Sequence, residues 1–228
     1  MYKVVGIDEA GKGPVLGSMF IGFSIITLAN GLKDLNEYQD HLKDMGVKDS
    51  KLLTPKKRNE LYHLLKDEMS LQYVQLTPAI IDANFFSGGK LNDLEMRGMA
   101  KLLNDLKPDL VIVDALTARP DKFGEQLKKM LDFDCKIISE NKADVKYTIV
   151  GAASICAKEL REQEIGEIKK NIGMNCGSGY PADPNTKKFL EENWDSKEFS
   201  FIFRKSWKTY TNMEDKHKPK QKTLKDFQ

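Results

Sequence analysis

The chain opens on a short apolar run, Lys3-Val4-Val5-Gly6-Ile7, which reads as a buried strand, and a glycine-bearing turn follows from Asp8 to Pro14. A second apolar run, Met19 to Leu28, predicts a strand paired to the first. Thr54-Pro55 predicts a helix start, with a capping hydroxyl and a proline at the first helical position. Leu61, Leu64 and Leu65 give that helix its apolar face. Residues 71–76 alternate as a strand does, and Thr77-Pro78 begins another short helix. Leu91, Leu94, Met99, Leu102, Leu103 and Leu106 mark an amphipathic helix over 91–107.

Leu110-Val111-Ile112-Val113 is continuously apolar, as a central strand buried on both faces should be, and it ends at Asp114. A helix is predicted over about 121–131 and a strand from Cys135 to Ile138. From Asp144 to about Lys170 the period is helical, with Val145, Ile149, Ala152, Cys156 and Leu160 on one face. The small residues Gly151-Ala152-Ala153 would let that face approach a sheet closely. Strands alternate with helices after the first hairpin, so the fold class is α/β with a central mixed sheet. There is no internal repeat. After Asn212 apolar residues thin out and lysines accumulate, so 212–228 reads as a flexible basic tail.

Composition excludes several classes. With 40% hydrophobic and 31% charged residues in 228, the chain should fold as a soluble globule. Its 36 basic and 34 acidic residues leave a net charge of +2, so nucleic-acid binding would need a local basic surface. Cys135, Cys156 and Cys176 are too scattered for a zinc site and read as reduced thiols. No apolar run reaches the roughly 20 residues of a membrane span. The first residues carry no signal-peptide pattern, so a cytoplasmic location is expected. His41, His63 and His217 form no constellation and read as surface residues. Neither a Gly-x-Ser-x-Gly elbow nor a Walker phosphate loop is present.

Four acids occupy positions where α/β proteins gather functional groups. Asp8 and Glu9 stand where the first strand meets the glycine turn, Asp114 at the end of the most apolar strand, and Asp144 at the start of the long helix. Side chains alternate along a strand, so Asp8 and Glu9 can face one site only if the strand has ended by Glu9. Carboxylates brought together repel unless a hard divalent cation neutralises them. Two Mg²⁺ or Mn²⁺ ions about 4 Å apart could hold a phosphodiester, activate water and stabilise the leaving oxygen. Each acid alone has the plainer reading of a cap or solvated turn residue, and spacing does not itself bring the four together.

Gly6-Ile7-Asp8-Glu9-Ala10-Gly11-Lys12-Gly13-Pro14-Val15 resembles the signature of type 2 ribonuclease H. Ordered matches continue at Asp49-Ser50-Lys51-Leu52-Leu53, Val111 to Asp114, Lys142-Ala143-Asp144, Ala152 to Lys158, and Gly177-Ser178-Gly179-Tyr180-Pro181 with Asp183-Pro184 and Thr186. The resemblance implies a ribonuclease H-like fold: a central mixed sheet flanked by helices, with a small C-terminal helical part. The expected organisation is a catalytic domain over 1–172, a helical part over 173–211 packed on it, and the tail. It also implies that Asp8, Glu9, Asp114 and Asp144 bind two catalytic Mg²⁺ or Mn²⁺ ions. The implied reaction is endonucleolytic: hydrolysis of RNA in RNA–DNA hybrids, and a cut 5′ of ribonucleotides embedded in duplex DNA, leaving a 3′-hydroxyl and a 5′-phosphate.

In the family the turn after the first acids reads Gly-Arg-Gly and its backbone senses the ribose 2′-hydroxyl, the group that separates RNA from DNA. Here it reads Gly11-Lys12-Gly13, which keeps the charge without arginine's planar fork. The resemblance makes Tyr180 the residue that stacks on the sugar just 3′ of the ribonucleotide. Ser50, Lys51 and Lys142 are candidate phosphate contacts, a role that positions substrate without reading sequence. Lys158 and Arg161, one turn apart on the long helix, read equally well as solvated, and Trp207 as an anchor of the C-terminal part.

At the end of the tail, Gln221, Leu224 and Phe227 resemble a sliding-clamp-binding peptide, with the usual second aromatic replaced by Gln228. Leu224 and Phe227 would share one helical face and plug a groove. The neighbouring lysines would otherwise serve as salt-sensitive DNA contacts. A monomer is expected. Two other readings differ in what they predict. A type 3 ribonuclease H shares the acidic core and prefers long hybrids, but carries an N-terminal substrate domain for which Asp8 leaves no room. A non-catalytic nucleic-acid-binding module would not require all four acids.

Overall fold

A computed structural model describes residues 1–48 and 52–217. Five strands form one sheet in the order β3-β2-β1-β4-β5: β1 (Tyr2–Ala10), β2 (Met19–Leu28), β3 (Ser70–Leu76), β4 (Leu110–Asp114) and β5 (Lys136–Glu140). The β1–β2 and β2–β3 pairs are antiparallel, and the β1–β4 and β4–β5 pairs parallel. The α/β mixed sheet read from the sequence is thus observed.

Period-two alternation sorts the strand residues between two cores. Val4, Leu110 and Ile112 face α1 (Leu32–Asp44), α2 (Pro55–Glu68) and a long helix. Val5, Ile7, Val111 and Val113 face α3 (Pro78–Phe86), α4 (Leu91–Leu106) and α5 (Pro120–Lys128). The helix predicted from Asp144 is in fact two: α6 (Ala143–Lys146) and α7 (Thr148–Ile172), broken at Tyr147, whose backbone is extended. Val145 lies on the near side of the break and is exposed, so it is not on the apolar face assigned to it. Leu61 and Leu65 of α2 are buried as predicted, whereas Leu64 is exposed. The helix α1 was not read from the sequence; only Leu35 and Leu42 of its 13 residues are buried, too sparse a stripe to register.

The α7 backbone crosses β1 and β2 unusually closely. A Cβ on Gly22 would lie 2.3 Å from the Ala153 carbonyl oxygen. The Ser24 hydroxyl donates to the Ile149 carbonyl at 2.6 Å. The small-residue run on α7 and the glycine on β2 therefore act together, and they fix α7 over the C-terminal end of β1.

Residues after α7 form α8 (Pro184–Asn193), a single 3-10 turn (Ser200–Ile202) and α9 (Lys208–His217). Phe189, Leu190, Ile202, Phe203 and Tyr210 build a third core with Val15, Leu16, Ile165 and Ile168. The C-terminal part thus packs on the segment that follows the glycine turn. Helix α9 continues through residues 212–217, which the sequence assigned to a tail. Trp207 meets the Phe85 ring at 6.0 Å and Arg204 at 5.0 Å, as an anchor should. All three cysteines are free and buried, and the three histidines are exposed. Among the described residues no helix is long and apolar enough to cross a membrane.

Candidate active site

Asp8, Glu9, Asp114 and Asp144 line one open cavity of about 530 Å³, with Gly11, Lys12, Gly13 and Tyr180 around it. The sequence condition for Asp8 and Glu9 to meet is not fulfilled: β1 does not end by Glu9 but continues to Ala10, paired along β2. The two acids share the cavity for another reason. Pairing between β1 and β4 stops at Ile7 and Val113, so the β4 side of β1 is open beyond that point. Asp8 leans toward α7, where the Ser154 hydroxyl donates to it. Glu9 leans toward α4, where Glu95 is its strongest charged neighbour. Both carboxylates reach into the gap past the end of β4.

Asp114 closes β4, and its Oδ1 accepts the Ala143 N–H at 2.9 Å. That bond holds the start of α6, and hence Asp144, beside Asp114. Lys142 immediately before it adopts a left-handed backbone (φ 59°) and is exposed; it does not line the cavity.

Burial pushes the Asp8 carboxyl well above its ordinary range, with the Glu9 charge acting in the same direction. Glu9 is pushed up to about 7, by burial first and by Glu95 next. Glu9 Oε2 is buried with no hydrogen-bond partner. Crowded, desolvated carboxylates with an unsatisfied oxygen are what a hard divalent cation relieves, so the donor set fits one. No three His, Cys, Asp or Glu side chains among the described residues converge to enclose an ion. Mg²⁺ does not require such a cage, because it keeps several waters and takes one or two carboxylates together with substrate phosphate.

The glycine turn and the Tyr180 loop are built as one unit. Gly11 has φ 91°, and a Cβ there would sit 2.9 Å from Arg161 Cδ. The Gly179 carbonyl accepts from Val15 N at 2.8 Å, and Gly179 N donates to Thr186 Oγ1 at 2.9 Å. Ser178 N donates to Asp183 Oδ2 at 2.7 Å. Arg161 fills the space between the two segments. It is buried, donates to the Ser178 carbonyl, and lies 4.7 Å from the centre of the Tyr180 ring. Arg161 is therefore not the solvated residue that its spacing allowed. Tyr180 itself remains 42% exposed, so its other face is available.

Arg58, Lys158 and Glu162 also line the cavity, and Arg58 pairs with Glu162. Arg58 and Glu162 were not singled out in the sequence, where each is one charge on a charged helix. Deep in the turn, Arg204 is fully buried and donates through Nε to the Gly17 carbonyl at 2.8 Å and through Nη1 to the Lys12 carbonyl at 3.3 Å. Ser50 and Lys51, and the tail residues Gln221, Leu224 and Phe227, lie outside the described residues.

A family model described as ribonuclease HII matches residues 5–210. Ribonuclease HII of Pyrococcus horikoshii is 41% identical over 229 residues, which is 99% of this chain and 99% of that protein. The crystal structure of ribonuclease H2 from Pyrococcus horikoshii superposes with a TM-score of 0.82 at 38% identity, covering 94% of this chain and 98% of the other. The PCNA:RNase HII complex from Archaeoglobus fulgidus contains a chain that superposes with a TM-score of 0.78 at 32% identity, covering 98% of this chain and 100% of that one. A fold, an acidic cavity and near full-length similarity thus agree: this chain belongs to the ribonuclease HII family, metal-dependent endoribonucleases that hydrolyse the RNA of RNA–DNA hybrids.

Proposed function

We propose that the enzyme cuts on the 5′ side of ribonucleotides embedded in duplex DNA as well as within hybrids, leaving a 3′-hydroxyl and a 5′-phosphate. The observation that carries this reading is the shared cavity, lined by all four acids together with the glycine turn and Tyr180. Asp8, Glu9, Asp114 and Asp144 would hold two divalent ions, Mg²⁺ or Mn²⁺. Bound there, such ions would neutralise phosphate charge, lower the pKa of a water and stabilise the departing 3′-oxygen. The chain's own part is to fix the acids beforehand. Ser154 orients Asp8, and the Ala143 N–H orients Asp114.

The peptide groups of Gly11, Lys12 and Gly13 would approach the ribose and sense its 2′-hydroxyl. Side chains at the two glycines would lengthen that approach. Tyr180, backed by Arg161, would stack on the sugar that follows. Arg58 and Lys158 supply positive charge at the cavity for the phosphates, and Lys142, Ser50 and Lys51 are assigned the same task along the backbone. Through Gln221, Leu224 and Phe227 the chain would engage a sliding clamp, a reading supported by the Archaeoglobus relative having been solved with PCNA. The enzyme is proposed to act as a monomer.

The test is a labelled DNA duplex with one ribonucleotide, incubated with Mg²⁺ or Mn²⁺, with EDTA and Asp114→Asn as controls. Cleavage 5′ of the ribonucleotide that needs both metal and Asp114 is expected. Cutting of long hybrids alone would point to the type 3 preference and sink the roles given to the turn and Tyr180. Binding of either duplex without turnover would leave a non-catalytic module.

A further inference from the structure

Lys12 does not extend from the glycine turn into solvent. Its ammonium lies 2.9 Å from Asn92 Oδ1 and 3.1 Å from Glu95 Oε2, both on α4. Glu95 is completely buried, between Leu94 and the core residues Met96 and Met99. A carboxylate in that position disfavours the fold unless it is paired, and among the described residues its ion-pair partner is Lys12. One oxygen, Oε1, has no hydrogen-bond partner. Arg204, whose charge also favours the ionised Glu95, holds the Lys12 carbonyl. The turn is thus fastened twice, through its main chain to Arg204 and through its one side chain to α4.

We infer that Glu95, assisted by Asn92, is a positioning residue that fixes the glycine turn through Lys12 and so sets the geometry with which the enzyme meets the ribose of the cleaved nucleotide. The inference rests on the proposed role of the turn in sensing the 2′-hydroxyl. A buried acid fits this task because a charge-assisted hydrogen bond to a carboxylate withdrawn from water is directional and strong, even with Lys12 itself 37% exposed, whereas an apolar residue would pack α4 equally well and leave Lys12 loose. The clamp is also incomplete. Lysine offers a compact point charge to one oxygen, while an arginine fork could satisfy both oxygens of Glu95. Lys12→Arg should therefore tighten the turn, not disturb it.

The test is a double-mutant cycle of Glu95→Gln and Lys12→Gln, with Lys12→Arg and Asn92→Ala alongside. The duplex with one ribonucleotide is cut at pH 8.5 and saturating Mg²⁺, and kcat, KM and Tm are recorded. Glu95→Gln removes a buried charge without changing shape, so its Tm should match or exceed the parent's. Its kcat should fall about tenfold, as expected for losing one charge-assisted hydrogen bond that shapes the transition state, with KM nearly unchanged. Lys12→Gln should fall similarly, and the double variant no further. Asn92→Ala, on a half-exposed site, should give a smaller kcat loss at parental Tm, and Lys12→Arg, which can bond both oxygens of Glu95, should raise kcat.

Glu95→Gln at parental kcat overturns the inference. So does a kcat loss that adds fully to that of Lys12→Gln, or one that tracks a falling Tm, since either marks Glu95 as a packing residue only. If the parent cuts long hybrids but not the single ribonucleotide, the reading of the turn as a junction sensor fails separately. The same cycle on the hybrid then decides whether Glu95 positions the turn at all.

Discussion

Mild acid should stabilise the metal-free protein, the reverse of ordinary acid denaturation. The perturbation is a change from pH 8 to pH 5.5 in EDTA. Glu9 has its native pKa at about 7, against 4.5 for an ordinary glutamate, because it is buried beside Glu95. A carboxyl with a raised native pKa binds its proton more tightly folded than unfolded. Its contribution to stability therefore grows as pH falls from about 7 toward 4.5. At roughly 1.4 kcal/mol per tenfold in proton affinity, the full gap is worth about 3 kcal/mol. Asp8 is raised for the same reasons and acts in the same direction.

For a chain of this length about 3 kcal/mol corresponds to a Tm increase of roughly 6–12 °C, of which most should appear by pH 5.5. The acid limit matters. Asp183, half-buried, and Asp134, exposed, are acids held low, chiefly by the Ser178 and Lys128 hydrogen bonds respectively. Their contributions are present above the ordinary aspartate range and are lost only below it, so pH 5.5 leaves them intact. Calorimetric or urea unfolding across this window measures the effect. Glu9→Gln should flatten it, and saturating Mg²⁺ or Mn²⁺ should reverse it, because a bound cation favours the deprotonated acids. A parent whose metal-free stability is constant or falls between pH 8 and 5.5 would refute the claim that these acids are crowded and desolvated.

Gly22→Ala places a Cβ 2.3 Å from the Ala153 carbonyl; it should cost about 3 kcal/mol and lower Tm by ~6 °C or more, read by calorimetry. Tyr180→Ala should reduce kcat/KM on a single embedded ribonucleotide about tenfold or more and on long hybrids less, while Tyr180→Phe retains activity on both; equal losses on the two substrates would count against the stacking role. Arg161→Met removes a buried guanidinium whose Nε has no partner, so Tm should change by no more than a few degrees while KM for the single-ribonucleotide duplex rises, and an unchanged KM would show that the Tyr180 loop holds its place unaided.

Elements defined by their own chemistry were legible in the sequence. Met19 to Leu28 has the bounds of β2, because ten consecutive residues with only two polar interruptions, Ser24 and Thr27, leave little choice of period. Thr54 and Thr77 cap their helices with side-chain oxygens as read. The break at Tyr147 was not legible, because a single extended residue between two helical runs leaves composition and period unchanged. The end of β1 was misjudged for a related reason: the glycines at 11 and 13 mark the turn, but pairing with β2 carries the strand to Ala10.

The acids and the basic residues of the site differ in the same way. Asp114 ends its strand, Asp144 lies in the first turn of its helix and Asp8 lies two residues from the end of β1, where a charge interrupts an apolar pattern and stands out. Arg58, Arg161 and Glu95 lie inside amphipathic helices, where a charge is expected every few residues and nothing local marks one as buried. Their burial follows from contacts with other segments: Glu95 with Lys12, 83 positions away, Arg58 with Glu162, 104 away, and Arg161 with Ser178, 17 away beyond the end of α7. Chemistry written at strand ends can be read from one dimension. The scaffold that aims it, built from helix charges turned inward, appears only once the chain is folded, and the clamp on Lys12 belongs to that second kind.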